Sequence, residues 1–260
     1  MTSEVKSEVK SEVKSEVKSE VKSEVIITRY NEKIDWIKNI IGTVDKITIY
    51  NKGSNQDFFT TDEEKYRDQV VIKQLPNIGR IDHTLAHHII ENWDNLPDVL
   101  VSLPASILMC YRKGSYLSAI KKRIGLVKSN YKGFYSPRFH KVNPNTFNYN
   151  IDNYQAEGHC NRNNNPFIKS EYKDFREWKK MVVDDRPIHY VGMRGMFIVG
   201  KENIKYIDKK IYENILGSLS VGDNIENGHF AERIWAHLFR QYSFDNMKSN
   251  DYEILCNEKY

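Results

Sequence analysis

Apolar and polar positions along this chain alternate between two periods. Val25-Ile26-Ile27-Thr28 is a continuous apolar run, as expected of a strand covered on both faces. It ends in a polar turn, Arg29-Tyr30-Asn31-Glu32, after which Ile34, Ile37 and Ile41 recur at helical spacing with Gly42 as a stop. Ile47-Thr48-Ile49-Tyr50 is a second strand, and it too ends in polar residues, Asn51-Lys52-Gly53. The pattern predicts a strand–helix–strand unit, in which ligands bind outside the carboxyl ends of parallel strands.

The same two periods continue downstream. A third strand is expected over Val70 to Lys73. Asn77-Ile78-Gly79-Arg80 then opens a second helix whose apolar stripe is Ile81, Leu85, Ile89 and Trp93. Val99 to Leu103 follows the Asn95-Leu96-Pro97-Asp98 turn as a fourth strand, whereas residues 104 to 170 read as irregular and loop-rich. Late in the chain Gly195 to Val199 has the character of a buried strand, Ile204 to Leu216 is helical, and a final helix spans about His229 to Gln241. Strands alternating with helices predict an α/β fold, here a single Rossmann-like domain with a mainly parallel central sheet flanked by helices.

Composition changes this picture at the N-terminus. Residues 3 to 22 are five copies of Ser-Glu-Val-Lys, and Ser23-Glu24-Val25 begins a sixth. In a helix this period stacks Glu on Glu and Lys on Lys at i,i+4, which opposes helix formation. In an isolated strand it offers too little apolar area to offset the entropy of ordering. A coiled coil is the sharper alternative, but a four-residue step drifts around the helix and holds no seam. The expectation is a solvated, disordered tail over 1–24 and a folded domain over 25–260. No apolar stretch reaches the ~20 residues of a spanning helix, and no secretory-type apolar core opens the chain. Cys110, Cys160 and Cys256 are odd in number and lie outside any C-x-x-C, as in reduced thiols of an intracellular, cytoplasmic protein.

Charge is the second clue. No acid lies between Asp98 and Asp152, while Arg112, Lys113, Lys121, Lys122, Arg123, Lys128, Lys132, Arg138 and Lys141 fall there among aromatic residues. Such a run is either a solvated face or an anion-binding one, suited to a nucleotide diphosphate or a nucleic acid. Among single residues, His83 and His87 have the i,i+4 spacing of metal ligands, but no Glu sits between them as in H-E-x-x-H and no third ligand is evident. His159-Cys160 is weaker still, and Asp184-Asp185 reads as a turn or cap before it reads as a cation site. Glu232 lies at the edge of the apolar arc of the last helix. A carboxylate there serves as a base only if it borders a cleft, and otherwise pairs with Arg or Lys.

Several of these segments together resemble the glycosyltransferase-A superfamily, most closely an uncharacterised branch of it. They are Val25 to Glu32, Ile47 to Gly53, Asn77-Ile78-Gly79-Arg80 with His83-Thr84, Asn92 to Asp98, Gly195 to Val199, the Tyr212 helix and His229 to Trp235. The likeness spans about residues 25 to 240, with gaps in the 104–185 loops. It implies a nucleotide-sugar donor at the first two strand ends. Tyr30, Asn31 and Glu32 would line the base and ribose pocket with Asn51 and Lys52 nearby. Asn77 and Arg80, in one block with Gly79 and His83, would approach the diphosphate or sugar, and Glu232 would be the base that deprotonates an acceptor hydroxyl of a glycan or protein. The chain departs from the superfamily where most relatives carry Asp-x-Asp after the fourth strand. It reads Val101-Ser102-Leu103-Pro104-Ala105-Ser106 there, so no carboxylate-held divalent metal is expected. The competing readings are a non-catalytic descendant that binds a glycan or protein and, below it, a nucleic-acid-binding protein using 112–141.

Overall fold

The computed structural model describes residues 20–59, 68–108, 115–130, 133–136, 139–149, 151–153 and 167–246. Its centre is a six-stranded sheet. The strands are β1 (Ser23–Arg29), β2 (Lys46–Asn51), β3 (Val70–Gln74), β4 (Val99–Pro104), β5 (Phe134–Tyr135) and β8 (Phe197–Gly200), in the order β3-β2-β1-β4-β8-β5. The pairings β3–β2, β2–β1 and β1–β4 are parallel, and β8 runs antiparallel to both β4 and β5. The sheet is therefore mainly parallel, as the sequence implies. A separate ribbon pairs β6 (Phe139–Lys141) with β7 (Tyr190–Gly192).

The apolar run of β1 is central and covered on both faces. Val25 and Ile27 point into one cluster with Ile47, Ile49, Val99 and Val101, and Ile26 points into the other. On the first face the covering layer is thin: a 3-10 helix, Asp35–Asn39, and α2 (Ser115–Asn130), which contributes Leu117, Ile120 and Ile124. The second face carries α1 (Arg80–Glu91), α4 (Phe175–Val182), α5 (Lys201–Lys205), α6 (Lys209–Leu219), α7 (Glu226–Glu232) and α8 (Trp235–Asn246). The short α3 (Pro144–Phe147) lies between β6 and α4 in the chain and is closed by a capping box of Asn143 and Thr146.

Four local expectations change. The helix predicted from Ile34 to Ile41 is only the 3-10 turn, because Ile34, Ile37 and Ile40 all need burial within so short a crossover. The segment read as irregular contains the 16-residue α2. The final helix is two: Arg233 caps α7, and the chain restarts at Trp235. The boundary expected after residue 24 falls inside β1. Ser23 and Glu24 are buried and paired, with Glu24 opposite Lys46 on β2 and Leu100 on β4. Residues 1–19, the three cysteines and His159 lie outside the described residues. Among the described residues no helix is long and apolar enough to cross a membrane.

Candidate functional site

At the carboxyl edge of the sheet, Arg29 ends β1 and is completely buried. Its Nε donates to the Glu32 carbonyl at 2.6 Å, and Nη1 donates to Asn51 Oδ1 (2.6 Å) and the Asn55 carbonyl (2.7 Å). Nη2 reaches the Asp57 carbonyl at 3.0 Å, and the guanidinium lies 4.2 Å from the centre of the Phe58 ring. A buried charge is tolerable when its donors are used in this way. One cation thereby joins the ends of β1 and β2 to the loop that follows. Asn51 completes the joint by donating to the Gly53 carbonyl and to Gln74 Oε1. Gly53 has no alternative, since a Cβ there would stand 1.7 Å from the Tyr30 carbonyl oxygen.

The first turn of α1 approaches this joint from the side. Gly79 and Arg80 both adopt left-handed backbone, at φ 57° and 51°. Lys52 is buried against that turn and donates to the carbonyls of Ile78 and Arg80, both at 2.5 Å. Burial lowers its pKa to about 7, with the charge of Asp82 working the other way. The Arg80 side chain remains exposed and donates to Asn224 Oδ1, while Asn77 donates to Asp223.

Inside α1, Asp82 accepts a hydrogen bond from the Trp235 indole at 2.7 Å. Burial first, and then the charge of Glu232, raises its pKa to about 7. Glu232 is half-buried at the end of α7 and accepts from the backbone N–H of Arg194. That residue and Gly195 form a left-handed turn before β8, at φ 71° and 62°. A Cβ on Gly195 would meet the Ile81 side chain at 2.5 Å, so the turn sits directly on the start of α1. His83 is 5% exposed, and burial lowers its pKa to about 4, so it is neutral at physiological pH. Its Nδ1 is buried and finds no partner among the described residues.

The residues singled out in the sequence therefore divide. Lys52, Arg80, His83 and Glu232 come together around the first turn of α1, with Gly79 shaping it. Tyr30 and Asn31 stand exposed at the neighbouring strand end. Asn51 is fully buried and its amide is spent on protein groups, so it builds the edge and offers nothing to a ligand. The Glu32 carboxylate folds back onto the N–H groups of Tyr30 and Asn31. Asp82, Trp235 and Arg194 join the site without a motif in the sequence to mark them. The available signal was Asp82 itself, an acid in step with Leu85, Ala86 and Ile89 on the buried face of α1.

The other candidates resolve structurally. The His83 and His87 rings stack at 6.3 Å, and His87 pairs with Glu91 at 3.5 Å. Burial opposes ionisation of Asp184, but hydrogen bonds from His237, Lys179 and Arg186 outweigh it and hold its pKa far below the usual carboxylate range. Asp184 is thus an ion-pair centre. Among the described residues no group of three or more His, Cys, Asp or Glu side chains is placed to hold a metal. In the basic stretch, Arg123 is buried over the Tyr135 ring at 5.2 Å, whereas Lys121, Lys122 and Lys141 are exposed. Arg112, Lys113, Lys132, Arg138 and the Lys128 side chain lie outside the described residues. No family model, curated protein or solved structure matches the chain.

Proposed function

We propose that the chain is a glycosyltransferase using a nucleotide-sugar donor, with its site at the carboxyl edge of β1 and β2 and the first turn of α1. The observation that carries this reading is the gathering of Lys52, Arg80, Asp82, His83 and Glu232 around that turn. The place also favours a ligand, because the order β3-β2-β1-β4 reverses direction between β1 and β4. The exposed Tyr30 ring offers a stacking face for a base. Arg80 and the N-terminal end of α1 supply positive charge for a diphosphate.

In this reading Glu232 accepts the proton of an acceptor hydroxyl as its oxygen bonds to the sugar. The sugar–diphosphate bond then breaks and its electron pair leaves with the diphosphate. The Arg194 N–H holds one carboxylate oxygen and leaves the other for that proton. No acid ends β4, where Pro104-Ala105-Ser106 stands, so fixed positive charge rather than a carboxylate-held metal stabilises the leaving group. Nucleotide sugars should raise the thermal midpoint and undergo slow hydrolysis, and both effects should persist in excess chelator. Glu232→Gln should still bind donor but lose turnover by roughly 100-fold or more, the scale of a general base. Strict manganese dependence would overturn the metal-free form of the proposal.

The internal commitment of Asn51, Lys52 and Glu32 favours a second reading, a non-catalytic descendant that binds a glycan or protein. Stabilisation by a glycan with none by any nucleotide sugar would select it.

A further inference from the structure

We infer that the cavity bounded by α3, the start of α4 and the start of α7 binds a neutral saccharide, the acceptor of the neighbouring site; only the acceptor role rests on the glycosyltransferase reading. The cavity holds about 340 Å³, within the roughly 300–1,000 Å³ of small-molecule sites. Its floor is fixed by a buried carboxylate. Glu226 opens α7 at 9% exposure, accepting the Ile151 N–H at 2.9 Å through Oε1 and the Ser170 N–H at 3.0 Å through Oε2. Ser170 Oγ in turn donates to Asn227 Oδ1 at 2.6 Å, so α7 holds two distant segments of the chain in place. Tyr149 forms part of the wall. Its ring stacks on His229 with 5.0 Å between centres, and the Arg233 guanidinium lies 4.3 Å from its centre.

The lining chemistry selects the ligand. Asp152, Asp174 and Glu226 balance Lys169, Lys173 and Arg176, so a charged ligand gains little over a neutral one. Lys169 is already paired with Asp152 at 2.7 Å, and Arg176 rests 4.9 Å from the centre of the Phe147 ring. Donors and acceptors nevertheless face one space. Among the described residues Lys173 and Arg176 have no carboxylate partner, and Asp174 Oδ1 accepts the Glu177 N–H while a carboxylate has about four acceptor sites. A hydroxyl both donates and accepts, so a ligand rich in hydroxyls matches this mixture. Phe147, Tyr149 and Tyr172 add ring surface for the C–H faces of a sugar. The cavity also adjoins the proposed transfer site. Lys169 and Ser170 follow Ile168, whose N–H donates to the Asn224 carbonyl, and Asn224 Oδ1 accepts from Arg80. Glu226 and Glu232 stand at opposite ends of α7, about 9 Å apart along its axis, which brings an oligosaccharide held in the cavity within reach of the base.

The test is saturation-transfer NMR on the full-length chain with no nucleotide sugar present. The probes are the common neutral hexoses, the N-acetylhexosamines and their disaccharides, with the matching uronates as charged controls. At least one neutral sugar should bind, and its uronate should bind no more tightly. Lys173→Gln and Arg176→Gln alter exposed side chains that the fold does not need, and each should weaken that sugar about tenfold. Absence of binding by every probe overturns the inference. So does equal affinity in the parent and both variants, or a uronate that binds tenfold more tightly than its neutral sugar. Slow hydrolysis of nucleotide sugars by the parent reads the other site. Saccharide binding without hydrolysis keeps the pocket and counts against the transferase, whereas hydrolysis without saccharide binding does the reverse.

Discussion

Asp82 carries more of the site's electrostatics than its neighbours do. It is 3% exposed, it accepts a hydrogen bond from the Trp235 indole, and its pKa is raised from 3.8 to about 7. A raised carboxyl pKa means that the folded state holds the proton more tightly than the unfolded chain does. The contribution is complete below pH 4 and is lost as pH rises through 7. At about 1.4 kcal/mol for each unit, the loss over that window is on the order of 4 kcal/mol. Asp82→Asn keeps an acceptor for the indole and removes the titration. The variant should therefore gain thermal stability relative to the parent at pH 8.5 but not at pH 5; an equal difference at both would show that Asp82 does not titrate in this range. Asp82 is hard to see in the sequence because the more regular apolar stripe runs through Ile81, which is only half-buried beside Gly195. Asn51 misled in the opposite sense. A polar residue at a strand end has the pattern of a ligand contact whether it faces solvent or, as here, a buried arginine.

Elements were legible where one strong period fixed them. The strands from Val25, Ile47, Val70 and Val99 lie within a residue or two of their expected places, since continuous apolar runs leave a strand few alternatives. α2 was not, although Leu117, Ile120 and Ile124 share its buried face, because Gly125 and the surrounding cations weaken the stripe. Two glycines test how the elements are held. Gly217 lies within α6 with nothing within 4 Å of a Cβ, so Gly217→Ala should stabilise the protein by about 0.5–1 kcal/mol through the unfolded chain and helix propensity. In Gly53→Ala the new methyl meets the Tyr30 carbonyl, which the Arg29 joint prevents from moving, and a loss of about 3 kcal/mol or more is expected. Denaturant titration distinguishes the two, and a neutral Gly53→Ala would mean that the β1 turn yields.

At the scale of the molecule, one sheet is shared by two apolar clusters of unequal depth. Alternate residues of β1 and β4 serve both: Val25 and Val101 on the thin side, Ile26 and Leu100 on the thick side. Pairing partners are not encoded by periodicity, which is why the antiparallel insertion of β8 between β4 and β5 could not be read from Phe197 to Gly200 alone. The shared strands have a thermodynamic consequence, because both clusters are built on the same hydrogen-bonded ladder and neither survives its loss, and unfolding should be cooperative. Trp36 reports on the thin side, where its indole donates to the Ala105 carbonyl at 3.0 Å, whereas Trp178 and Trp235 are buried in the thick cluster. In Trp36→Phe, tryptophan fluorescence reports mainly the thick side, while far-ultraviolet circular dichroism averages over every element. Both signals should give the same denaturant midpoint in the variant and in the parent. An earlier dichroism transition would show that the thin layer with its 3-10 crossover melts separately, and that the folded region is two cooperative units rather than one.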